Sequence, residues 1–180
     1  MTTLKPRLSA KDLALISLFS ALWVALNLTV APLGFRLLGL PITHSVITFL
    51  TLLLTVWATN KIGAASIVGI IGSTIVLLAG GPLPVIGFGL AALLFDAILT
   101  LNRHKIDLKL GNLAIAILAT LISAYFGGAI NGIFILNQAP QFAVTIWAGW
   151  TVIGAVIGTA VTLPLIATLE RANAKKIKTT

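Results

Sequence analysis

The chain has 180 residues, 58% hydrophobic and only 9% charged, with twelve basic residues against four acidic ones. A soluble domain carries about 25% charged residues, so a water-soluble globule is excluded, and the lack of cysteine excludes disulfides, thiolate catalysis and Cys-ligated metals. The net charge of +8 does not read as a nucleic-acid footprint, because the basic residues flank apolar runs instead of lining one amphipathic face.

Six apolar runs follow in chain order. The first, 12–31, is ended by Pro32 and Gly34, and an outer loop from Pro32 to Pro41 carries Arg36. The second, 42–59, leads through the tight turn Asn60-Lys61-Ile62-Gly63 into the third, 64–79. Gly80-Gly81-Pro82-Leu83-Pro84 breaks the helix before the fourth run, 85–101. A polar loop from Asn102 to Lys109, with His104 in it, precedes the fifth, 110–136. Asn137-Gln138-Ala139-Pro140-Gln141 precedes the sixth, 142–169, and a basic tail follows. Six spans of about 20 residues occupy roughly 120 residues, which leaves no room for a second domain. In lipid each span has to be helical, since strands would leave backbone groups unpaired. The chain therefore reads as a single all-α integral membrane domain, a compact bundle of six transmembrane helices.

The basic residues set its orientation. Lys5, Arg7 and Lys11 precede the first span, and Lys61 lies between the second and third. Arg103, Lys105 and Lys109 lie between the fourth and fifth, and Arg171, Lys175, Lys176 and Lys178 follow the sixth. The remaining gaps hold only Arg36. Positive charge is retained on the cytoplasmic side, so the N and C termini are both expected there, in a multi-pass protein of the cell membrane. Basic residues before an apolar run, with Thr29-Val30-Ala31 after it, loosely match a cleaved signal. The run from Leu13 to Ala31 is nevertheless longer than a signal core and is read as a retained span.

Small residues mark close helix contacts. Gly128 and Gly132 in the fifth span, and Gly154 and Gly158 in the sixth, have the four-residue spacing that lets helices approach within a bundle. Ser17, Ala21 and Ala25 form a similar strip on the first span, which lets another helix approach closely.

At the residue level the chain resembles the substrate-binding S components of energy-coupling factor (ECF) vitamin transporters. The resemblance rests on six spans in a chain of this length, and on Lys11-Asp12-Leu13-Ala14 running on to Ser20-Ala21-Leu22-Trp23-Val24-Ala25, which matches the family's AxxxA pattern at Ala21 and Ala25. Gly39-Leu40-Pro41-Ile42 entering the second span and Lys61-Ile62-Gly63-Ala64-Ala65 entering the third are similar as well. The Gly63-Ala64-Ala65 entry, the Gly80-Gly81-Pro82 turn and an acidic residue in the fourth span loosely resemble the branch associated with the thiamine pyrimidine moiety. The resemblance implies capture of a vitamin or vitamin precursor near the outer face. Delivery would then depend on a membrane coupling subunit, contacted by the small strip of the first helix, and on two cytoplasmic ATPases. The typical N-terminal metal-binding signature of the nickel and cobalt branch is missing, since Met1-Thr2-Thr3 lacks histidine.

Pocket candidates follow independently from polar and aromatic residues at the outer ends of the spans: Asn27, Arg36, His44, Asn131, Asn137, Gln138, Gln141, Trp147 and Trp150. Together they offer hydrogen-bond donors, acceptors and flat apolar faces, the set that a ring-shaped, weakly charged solute needs. Each has another reading. Arg36 meets lipid headgroups or binds an anionic group of the solute, and His44 opens a helix at the interface or faces the pocket. Trp147 and Trp150, three apart on one face, belong to an aromatic belt or to the pocket. Trp23 and Trp57 read as lipid-facing or packing residues. Asn131 is the strongest candidate, because an amide inside a span has to be paired or face a cavity.

Asp96 is the only acidic residue inside a span. It lies about 16 Å below the outer end of its helix, with Arg103 seven residues on, and reads as a structural partner near the inner surface, or else as a deep-pocket or coupling residue. No catalytic role is expected. The chain has no P-loop, His44 and His104 fall at opposite faces, and no carboxylate pair or triad is at hand, so neither cofactor nor resident metal is expected. Two further functional readings stay open: a non-transporting scaffold or assembly protein, and a carrier that moves a small solute without partners.

Overall fold

The computed structural model describes residues 8–106 and 109–178, with side chains up to residue 172. Among these residues there are helices and turns and no strand.

Helix α1 (Ala10–Leu38) starts at a capping box. Ser9 Oγ accepts from the Asp12 N–H, and the Asp12 carboxylate accepts from the Ser9 N–H at 2.9 Å. The helix does not stop at Ala31. It runs through Pro32 to Leu38 and is closed by Gly39 in a left-handed conformation (φ 67°). A proline inside a helix removes one backbone hydrogen bond, which membrane helices tolerate when neighbouring helices support them. Here Gly34 gives that support, for a Cβ at this position would overlap Thr43 at the start of the next helix. Arg36 therefore sits on the last helical turn, not in a loop.

Helices α2 (Ile42–Thr59) and α3 (Ala64–Leu78) are joined by the expected tight turn, with Asn60 and Gly63 both at positive φ. Helix α4 (Val85–Leu99) tightens into a 3₁₀ turn at Thr100–Asn102. Helix α5 (Leu110–Ile130) widens into a π-helical turn at Asn131–Ile135. Helix α6 opens with Pro140–Phe142, passes through a second π-helical stretch at Ala143–Trp147 and continues as Ala148–Lys178, well past Leu169. Five of these helices are long and apolar enough to cross a membrane, and Ala64–Leu78 is shorter. Its 15 residues rise about 22 Å at ~1.5 Å each, against a hydrocarbon core of ~30 Å.

Neighbouring helices close a ring in the order α1, α2, α6, α5, α4, α3 and back to α1. Helix α2 also touches α3, α4 and α5, and it is the most enclosed: 67% of its membrane-length window is buried, against 22% for α1. Lipid supplies little hydrophobic drive for helix association, so packing depends on close backbone approach. The two glycine pairs provide it inside the bundle. A Cβ at Gly154 or Gly158 would collide with the backbone of Ile42 or Val46 on α2, and one at Gly128 or Gly132 with Ala148 or Ala143 on α6. Many polar side chains bond within the bundle. Thr51, Thr55, Thr59, Thr159 and Thr162 each donate to the carbonyl four residues earlier. Ser45 Oγ donates to the Thr151 carbonyl and Thr151 Oγ1 to the Ala124 carbonyl, which stitches α2, α6 and α5 together. Trp23 is fully buried, with its Nε1 donating to Thr48 Oγ1 at 3.2 Å, so it is a packing residue.

The two ends of the bundle differ. At the basic end Lys61 pairs with Asp12 at 3.8 Å, and Trp57 Nε1 donates to Glu170 Oε1 at 3.1 Å, which brings the starts of α1 and α3 and the ends of α2 and α6 together. The other end opens into a cavity.

Candidate functional site: a cavity at one end of the bundle

The cavity has a volume of about 660 Å³. It lies where α1, α3 and α5 end and α2, α4 and α6 begin. Leu28, Pro32, Phe35 and Arg36 come from α1, and Pro41 and His44 from the entry of α2. The turn from Ala79 to Pro84 and Phe88 form another wall, and Asn131, Leu136 and Trp147 close it. The walls are largely apolar with a few polar groups, as in a small-molecule site.

Four of the expected pocket residues meet here: Arg36, His44, Asn131 and Trp147. The two π-helical stretches account for two of them. Asn131 begins the first stretch and Trp147 ends the second, and the stretches pack against one another. A π turn shifts the phase of the helix, and such turns are frequent at functional sites. Trp147 is thereby buried at the cavity, while Trp150, one turn on, is half-exposed and outside the lining.

The Asn131 side chain is fully buried and fixed in orientation. Its Oδ1 accepts from the Gly87 N–H at 3.2 Å. Gly87 lies in the first turn of α4, where N–H groups lack helical partners and where Pro84 supplies no side-chain cap. Asn131 thus caps α4 from α5. Its Nδ2 is left as a buried donor with no protein partner, and so is the Trp147 Nε1.

Asn27 does not line the cavity. It stands fully buried behind His44. Its Nδ2 donates to the Trp23 carbonyl at 2.9 Å, which turns Oδ1 toward His44 Nδ1, also at 2.9 Å. An amide oxygen only accepts, so Nδ1 carries the proton, and in the uncharged ring Nε2 keeps a lone pair. His44 is further fixed by stacking on Phe88, with centroids 5.9 Å apart and planes inclined by 12°. Phe35 meets Trp147 edge-on at 6.4 Å. Arg36 is exposed, and among the described residues it makes no ion pair.

Gln138 and Gln141 are outside the lining as well. Gln138 is half-buried near Gly132, and Gln141 is exposed on the first turn of α6. The sequence reading missed Phe35, Phe88 and Leu28. Phe35 could have been found beside Arg36 had α1 been carried through Pro32, and Phe88 sits one turn into α4, below the Pro84 breaker.

Asp96 belongs to the opposite end. Its Oδ1 is 2.9 Å from His104 Nε2, and its Oδ2 accepts from Ser66 Oγ at 2.8 Å. Asp96 is 4% exposed and His104 0%. Arg103, the neighbour expected from helical spacing, is exposed, because the helix ends in the 3₁₀ turn and Arg103 takes a left-handed conformation (φ 57°). The carboxylate ties α3, α4 and the following turn together. Ser17, Ala21 and Ala25 are all exposed on α1.

No family model, curated protein or solved structure matches the chain.

Proposed function

We propose that the chain is the solute-capture subunit of an ECF-type ABC importer in the cell membrane, binding a vitamin or vitamin precursor and delivering it with a coupling subunit and two cytoplasmic ATPases. One observation carries the capture step: the cavity of about 660 Å³ combines aromatic walls with a few polar residues, Arg36, His44 and Asn131 among them, the combination that holds a small organic solute. A scaffold has no need of such a cavity. The basic end would face the cytoplasm, so the cavity would open outward. The exposed strip of Ser17, Ala21 and Ala25 supports the coupling step, because it allows close approach by a partner helix.

Mass spectrometry of the purified chain tests capture directly. A vitamin-like molecule is expected to co-purify, and its re-addition at about a hundred times its Kd should stabilise the fold by ~2.7 kcal/mol. An empty extract would refute capture and favour a scaffold. Transport by the chain alone in liposomes would point instead to a self-sufficient carrier. Ala21→Leu or Ala25→Leu should lower recovery of the coupling subunit while leaving solute retention intact, as measured by co-purification.

A further inference from the structure

Resting on the capture reading, we infer that the solute is an anionic molecule with a flat conjugated ring and not a cation. The charge follows from what surrounds the cavity. Arg36 is the one charged residue in its lining, exposed and without an ion-pair partner among the described residues. The described acidic side chains lie at the opposite end or below it. Asp12 is paired with Lys61, Asp96 with His104, and Glu170 accepts from Trp57. A cationic solute would leave water for a low-dielectric cavity that offers no counter-charge and one like charge. A carboxylate or phosphate would meet a guanidinium whose fork matches it.

The flat shape follows from the walls. Aromatic side chains from four helices, Phe35, His44, Phe88 and Trp147, give a ring flat surfaces to lie against.

The test uses the full chain purified in detergent. Its bound molecules are extracted into aqueous and organic phases, and the aqueous phase is run on anion and cation exchangers at neutral pH. The expected result is an aqueous species held by the anion exchanger and showing the near-ultraviolet absorbance of a conjugated ring. Arg36→Gln should retain about ten-fold less of it. A cationic or neutral species, or an anion without ring absorbance, overturns the inference and leaves capture standing. An anion found only in the organic phase overturns it too, since Arg36 then holds a lipid headgroup. An extract empty in both phases refutes capture itself, and this inference with it.

Discussion

Replacing Gly87 by alanine perturbs the cavity from a residue outside its lining. A Cβ there would lie closer than 3.0 Å to all three heavy atoms of the Asn131 amide. The α4 backbone is held by its own ladder, so the amide has to rotate away. Rotation breaks the bond from the Gly87 N–H, now 3.2 Å, and displaces a residue of the cavity wall. A buried N–H without a partner costs ~1–3 kcal/mol, and residual overpacking adds ~1–3 kcal/mol. The exchange of glycine for alanine in a helix returns up to ~1 kcal/mol. The net expectation is a loss of ~1–5 kcal/mol in stability, with solute affinity lowered about ten-fold or more, the equivalent of one hydrogen bond. Gly111→Ala and Gly149→Ala make the same chemical change where nothing lies within 4 Å of the new Cβ, and both should be neutral or slightly stabilising. Thermal unfolding of the three variants in detergent, with and without the co-purifying solute, reads both effects. If Gly87→Ala unfolds and binds like the parent, or if the two controls lose as much as it does, the argument from the Asn131 amide is refuted.

Other substitutions separate fold from site. Trp147→Phe keeps an aromatic face beside Phe35 but removes the indole N–H and part of the ring volume, so stability should fall by ~1–2 kcal/mol while solute affinity drops about five- to ten-fold; equal affinity would remove Trp147 from the solute's contacts. Asn27→Leu frees His44 Nδ1 and the Trp23 carbonyl, and it should weaken both stability, by ~1–3 kcal/mol, and solute binding, although Asn27 lies outside the lining. Unchanged affinity in folded Asn27→Leu protein would show that the orientation of His44 is irrelevant to binding. Asp96→Asn should lower the unfolding temperature and impair assembly or transport, while leaving solute affinity within about two-fold, because the residue lies ~16 Å along α4 from its cavity end. A large loss of binding in well-expressed Asp96→Asn protein would contradict that.

The helical class and the alternation of basic and cavity ends were legible in the chain by itself, because lipid allows a lone apolar segment only one way to satisfy its backbone and because charge asymmetry is written in the loops. The glycine pairs on α5 and α6 were legible for a similar reason: a missing side chain at four-residue spacing is a packing instruction whatever the neighbour is. The end of α1 was not. Pro32 reads as a stop locally, and only the close seat of Gly34 on Thr43 carries the helix on to Arg36. Nor was the phase of Asn131 and Trp147, since a π turn has no composition of its own and is settled by how α5 and α6 meet. The partners of Asn27 and Asp96 were hidden for another reason. His44 lies seventeen residues from Asn27, and Ser66 lies thirty from Asp96. Sequence periodicity describes one helix at a time, whereas a hydrogen bond between two helices exists only after both have been placed.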